Sequence, residues 1–211
     1  MKTTLLILTS LLAGSTMADD CCAPAKVPAC CAKAEPVGAA AFSDKSLYQI
    51  ESKWTTDANQ QIKLADLKGR PQVVVMFFAN CQYACPILVH DLTRIESALK
   101  PELRDKVGFT LVTFDTRRDT PAALAKFRET RNLASNWTLL HGSDDDVLEL
   151  AALLGVKYKE EANGQFAHSN VITLLNGAGE IVHQHVGLGQ DINPTVHELE
   201  KLLTNQNAAT E

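Results

Sequence analysis

Apolar and polar positions divide the 211-residue chain into three stretches. The first is a run from Leu5 to Ala13 (LLILTSLLA), with Lys2 before it and Thr16-Met17-Ala18 after it. A basic start, an apolar stretch and small residues ahead of a cleavage point predict a secretory signal over residues 1–18. The run is too short to cross a bilayer, which takes about 20 residues. Asp19 and Asp20 follow at once, so there is no stop-transfer pattern, and Asp20 before Cys21 disfavours a lipoprotein box. The alternative is an uncleaved N-terminal anchor. The second stretch, residues 19–41, is rich in Ala, Pro and Cys and has no helical or strand period. It reads as a flexible Cys-rich tail and linker. The third begins at Phe42 and is patterned like a globular domain, over residues 42–205. A disordered C-terminus is expected over 206–211.

Within the domain the periods alternate. Leu47 to Trp54 and Gln61 to Leu64 read as strands of an N-terminal β-hairpin, joined by a turn around Asp57-Ala58-Asn59. Val73 to Phe78 (VVVMFF) is a continuous β-branched and aromatic run, the pattern of a strand buried on both faces. Ile87, Leu88, Leu92, Ile95 and Leu99 then keep helical spacing, and Val107 to Phe114 is a second apolar strand. Pro121 opens a further helix, with Thr120 or Asp119 as its cap and Leu124 and Phe127 facing inward. Trp137 to Leu140 is a short strand. Asp144-Asp145-Asp146 crowds acids at the start of a helix, which suits its dipole, and Gly155 ends that helix. Val171 to Leu175 and Glu180 to Val186 form an antiparallel hairpin around a Gly-rich loop, and Thr195 to Leu203 is a last helix. This order predicts an α/β sandwich with a mixed central sheet.

Composition adds two exclusions. A net charge of −5 gives no footprint for nucleic acid, which needs clustered Lys and Arg. Six cysteines are too few for a disulfide-built fold. Their placement changes the picture more than their number. Four stand at Cys21, Cys22, Cys30 and Cys31, two at Cys81 and Cys85, and nothing after Cys85 contains sulfur. In an exported protein, for which a bacterial periplasm is the expected compartment, thiols are liable to oxidation. Such cysteines are disulfides, metal ligands or redox groups. The tail quartet suits either ordinary disulfides or a soft-metal clamp, since adjacent thiolates fit Cu(I) and Zn.

Cys81 and Cys85 lie after a buried strand and at the entry to a helix. Active sites of α/β sheets collect at this carboxyl edge, and a helix N-terminus favours a thiolate. Four-residue spacing turns both sulfurs toward one side, so the pair can close a disulfide or grip one metal. The plain alternative is a structural disulfide. Two soft thiolates leave a metal site incomplete, and six histidines are candidates for a third ligand. His90 and His197 lie on helices as solvated residues, and His141 ends a strand. His183 and His185 share a face of the last hairpin. His168 follows a Gly-containing approach, Asn163-Gly164-Gln165-Phe166-Ala167, and precedes the strand at Val171.

Four motifs then carry a resemblance: Cys81-Gln82-Tyr83-Ala84-Cys85-Pro86; Phe114-Asp115-Thr116-Arg117-Arg118-Asp119-Thr120-Pro121; Trp137-Thr138-Leu139-Leu140-His141-Gly142; and His168-Ser169-Asn170. From about Leu47 to Leu203 the chain resembles the SCO (SenC/PrrC) family, thioredoxin-like copper proteins involved in assembling cytochrome oxidase. The resemblance implies a thioredoxin-like sandwich and a copper site of Cys81, Cys85 and His168. It also implies thiol–disulfide exchange by the same two cysteines, in a state exclusive of copper. Gln82 stands where the family pattern has Pro, Asn80 where Thr is frequent, Thr116 where Pro follows the Asp, and Ala167 where a polar residue often precedes the His. The Cys-rich tail is not a general family feature. Asp115 and Asp119 share the sheet edge with the cysteines. They are read as strand-terminating and capping residues, or as groups that tune His168 or meet a partner.

The expectation is an exported metallochaperone. It would hold one copper, Cu(I) or Cu(II), and pass it to a copper-accepting protein such as an oxidase subunit, with Cys21, Cys22, Cys30 and Cys31 as auxiliary ligands. The rival is a periplasmic thiol–disulfide oxidoreductase served by a thiol reductant. A peroxidase of this fold places Thr three residues before its nucleophilic Cys, where this chain has Gln82.

Overall fold

Six consecutive buried residues, Gln72–Phe77, form the strand around which the domain is built. This is β3 of a seven-stranded sheet in a computed structural model that describes residues 42–208; the expected signal over 1–18 and the expected four-cysteine tail lie outside them. The other strands are β1 (Trp54–Thr56), β2 (Gln61–Ile62), β4 (Gly108–Thr113), β5 (Trp137–His141), β8 (Val171–Leu175) and β9 (Ile181–Val186). Their order is β2-β1-β5-β4-β3-β8-β9. β3 pairs in parallel with β4, and β4 with β5, while β8 runs antiparallel to β3. The sheet is therefore mixed. A separate two-stranded sheet, β6 (Tyr158–Glu160) with β7 (Phe166–His168), stands beside it.

The helices are α1 (Ala84–Ala98), a single turn α2 (Pro101–Arg104), α3 (Pro121–Arg131), α4 (Asp144–Leu154) and α5 (Asn193–Ala208). α1 buries Leu88, Leu92 and Ile95 completely. Each such side chain contributes about 1.5–3 kcal/mol by leaving water. Ile87, which the spacing places with them, is 43% exposed. A stripe of one residue in three or four has no room for two neighbours at its N-terminal end. Thr120 is the cap of α3 and accepts a hydrogen bond from the Ala123 amide, while Asp119 does other work. α4 starts with a capping box between Ser143 and Asp146 and stops at Gly155 in the left-handed region. Both ends agree with the pattern.

Three expectations are corrected. Leu47–Gln49 is a turn of 3-10 helix, and the first strand runs only from Trp54 to Thr56, because Leu47 and Tyr48 pack into the core from a looped segment. Asn163 to Ala167, read as an approach loop to His168, belong to the β6–β7 hairpin, and Phe166 and Ala167 are in its second strand. α5 continues to Ala208, past Leu203 and into residues assigned above to the disordered terminus. No helix among the described residues is long and apolar enough to cross a membrane.

Candidate metal centre

Strand direction decides which residues meet. β3 and β4 are parallel, so both release their chains at the same sheet edge. β8 is antiparallel to β3 and pairs Ile172 with Val75, so the residues entering β8 arrive where those leaving β3 depart. Cys81 and Cys85 follow β3, and His168 precedes β8. The three ligand atoms lie within 4.8 Å of one another, and they are the one such group of three among the described residues. Cys85 Sγ is 3.7 Å from His168 Nε2. Cys81 Sγ accepts the Cys85 amide proton at 3.3 Å, an otherwise unpaired donor of the first turn of α1. Both cysteines are thiols, Cys81 half-buried and Cys85 buried.

The imidazole is oriented from its far side. His168 Nδ1 lies 3.1 Å from the Ser169 carbonyl, which can only accept, so Nδ1 carries the proton and Nε2 offers its lone pair to the sulfurs. Phe78 meets the ring edge-on at 6.2 Å and Phe114 packs against it at 5.1 Å. Burial holds the His168 pKa below its ordinary value of 6.5, and the Ser169 contact opposes that. Cys85 is pushed strongly upward, first by burial and further by Cys81 and Asp119; a backbone hydrogen bond with Phe78 acts against this. The site without metal therefore holds a neutral imidazole beside a protonated thiol. A pocket of about 230 Å³, lined by Cys81, Tyr83, Glu161, Phe166 and His168, opens beside it. Tyr83 is 79% exposed at its rim.

The remaining predicted residues are dispersed. Asp119 Oδ2 accepts from the Ala79 amide at 2.8 Å and from Thr113 Oγ1 at 2.6 Å, tying the Cys81 loop to the end of β4. Burial raises its pKa, and these two hydrogen bonds oppose the rise. Asp115 accepts from the Arg118 amide and guanidinium. Neither carboxylate bonds His168, whose Nδ1 is taken by Ser169. His141 Nδ1 meets the Asp119 carbonyl oxygen at 3.1 Å, and His183 Nε2 meets Thr195 Oγ1 at 3.1 Å. His185 is half-buried, and His90 and His197 are exposed. Cys21, Cys22, Cys30 and Cys31 lie outside the described residues. The residues that sequence reasoning missed are the aromatic wall of Phe78, Phe114, Tyr158 and Phe166, and Arg118 behind it.

Two thiolates and an imidazole are soft to intermediate donors, a set suited to copper or zinc. An ion bonded to two of them at about 2.0–2.3 Å holds them no farther apart than about 4.6 Å. The observed spread is close to that limit, so the residues fit a metal.

Fold and site together define a thioredoxin-like protein with a Cys-Cys-His centre. The SCO1/SenC family model matches residues 43–204, and the chain belongs to that family. It is 26% identical over 156 residues to the SCO1 protein homolog of Bacillus subtilis (strain 168), covering 72% of this chain and 80% of that one. A SCO1/SenC family lipoprotein from Bacillus anthracis superposes with a TM-score of 0.67 at 23% identity, over 77% and 99% of the two chains. Bradyrhizobium japonicum ScoI, solved with copper bound, gives 0.59 at 18% identity over 72% and 96%.

Proposed function

We propose that this chain is an exported copper carrier that binds one copper through Cys81, Cys85 and His168 and passes it to a partner's cysteines. The observation that carries this reading is the convergence of those three donors within 4.8 Å on a SCO-family fold. The copper-bound relative of the same fold supports the choice of metal. Transfer is a ligand exchange: an incoming thiolate replaces one sulfur, the freed sulfur takes a proton, and a second exchange completes the handover. Cys81 is the reachable sulfur and faces the open pocket, so exchange starts there. An oxidase copper subunit is the acceptor that the family resemblance suggests. Signal cleavage after Ala18 would deliver the protein to a periplasm.

Thiol–disulfide exchange uses the same sulfurs and gives a partner disulfide two electrons and two protons, but it has no need of His168. Anaerobic copper titration separates the two readings. Wild type is expected to bind one copper tightly at the three-donor centre, beyond any held by the tail, and His168→Ala and Cys81→Ser to bind that copper at least tenfold more weakly, the usual cost of losing a ligand or its support. An unchanged affinity in His168→Ala overturns the three-ligand site. The tail cysteines Cys21, Cys22, Cys30 and Cys31 act in this reading as an auxiliary Cu(I) clamp.

A further inference from the structure

The hairpin that carries His168 is not part of the main sheet. β6 and β7 hydrogen-bond only to each other as strands. What fixes the imidazole beside Cys85 is therefore whatever fixes this hairpin. Part of the hold is aromatic. Phe166 packs on Phe78 at 5.2 Å and on Phe114 at 5.1 Å, and Tyr158 stacks on Phe114 at 5.1 Å. Phe166 meets both rings tilted and Tyr158 is stacked on Phe114, contacts that stabilise beyond the area they bury.

Arg118 supplies direction. Its own backbone amide donates to Asp115 Oδ1 at 3.2 Å and its Nε donates to Asp115 Oδ2. Asp115 is 1% exposed, so this end is anchored in the body of the domain. The other end spans the whole hairpin. Nη2 lies 3.5 Å from Glu160 on β6, and Cζ sits 5.5 Å from the centre of the Phe166 ring on β7. The guanidinium also reaches the turn, where a Cβ on Gly164 (φ +75°) would stand 2.8 Å from Nη1, a contact that a small shift of the arginine tip would relieve. Arg117 adds a second, more exposed pair to Glu160. Phe166 and His168 are two residues apart on one strand and project to the same side. Both touch Phe78 and Phe114. A shift of Phe166 therefore carries His168 with it.

We propose that Arg118 is a positioning residue, a latch that holds the His168-bearing hairpin against the edge carrying Cys81 and Cys85. With the latch closed the site has three donors. With it open the hairpin moves, the imidazole leaves, and two thiolates remain. The metal-dependent half of this inference rests on the copper-carrier reading. A planar fork pairs with a carboxylate and stacks on an aromatic face at once, which Lys cannot do.

Hydrogen–deuterium exchange on the full-length apo protein tests the latch without metal. Arg118→Met should raise exchange at amides 158–168 while β3 and β4 stay protected, and Glu160→Gln should do the same more weakly. Arg118→Lys should restore only part of the protection. Copper titration of the same variants should show Arg118→Met about 10–100-fold weaker than wild type, in the range for supports of metal ligands. Its Cu(II) spectrum should move toward that of His168→Ala. Unchanged hairpin exchange in Arg118→Met overturns the proposal. So does equal loosening of β3 and β4, or full recovery with Lys. Should Arg118→Met fail to fold, hairpin exchange in Glu160→Gln decides, and an unchanged value sinks the latch. If wild type itself binds no copper, the carrier reading falls and the exchange data still judge Arg118.

Discussion

Cys81 and Cys85 differ in access although they sit four positions apart. Cys81 is half-buried and Cys85 is 1% exposed with its thiol pushed upward by burial. Alkylation of the reduced apo protein by iodoacetamide, followed by peptide mass spectrometry, should label Cys81 first; equal labelling would contradict this geometry. The same shifts set the pH dependence of copper binding. His168 is held below 6.5, so protons compete for it only in acid. Cys85 is held above its ordinary value, so its proton must be displaced throughout the neutral range. Copper affinity should therefore keep tightening from pH 6 to 8, by about tenfold per unit for each thiol proton released. A flat titration in that window would contradict it. For folding, a lowered His168 pKa stabilises the apo protein above about pH 6.5, and this is lost as pH falls through the folded value. Both cysteines were legible as a site from their place between a β-branched run and a helix start. His168 was one histidine of six until the family motif singled it out. The roles of Asp115 and Asp119 depend on neighbours from other segments, and no local pattern reveals those.

The start of α3, both ends of α4 and the ends of β3, β4, β5 and β8 followed their sequence signals closely. Replacing the cap in Thr120→Ala removes the acceptor for the Ala123 amide and should cost about 1 kcal/mol in denaturant unfolding. A change below a few tenths would show that water replaces it. Gly179 closes the β8–β9 turn with φ +83°, and a Cβ there would meet the Tyr48 ring at 2.5 Å. Gly179→Ala should destabilise the domain by more than about 1 kcal/mol, since backbone strain and a steric clash act together. The β6–β7 hairpin is the element that sequence reading missed. Asn163-Gly164 between Tyr158-Lys159-Glu160 and Phe166-Ala167-His168 is itself a hairpin signal. Its strands are only three residues long and partly polar, so their period is too weak to read. The error at Leu47 has the same origin: apolar residues were assigned to a strand, but burial alone does not say whether the backbone pairs.

At the scale of the whole chain, the domain from Phe42 onward contains the complete three-donor site, whereas the other four cysteines precede it. Full-length protein should therefore bind more Cu(I) under reducing conditions than a chain starting at Phe42, and equal stoichiometry would remove the tail from the copper reading. On the proposal that residues 1–18 are a cleaved signal, N-terminal sequencing of the mature protein should begin at Asp19. An intact Met1 would mean that the signal is kept. Sequence alone determined the α/β class, the succession of helices and strands, the place of Cys81 and Cys85 between a buried strand and a helix start, and the ends of most central elements. Those properties are local, set by period, capping and turn chemistry within about a dozen residues. Only the tertiary structure decided that His168 arrives on a separate hairpin, that Asp119 braces the Cys81 loop, and that Arg118 joins that hairpin to the body. Each joins segments far apart in the chain, and strand order and direction, which the local pattern leaves open, bring them together.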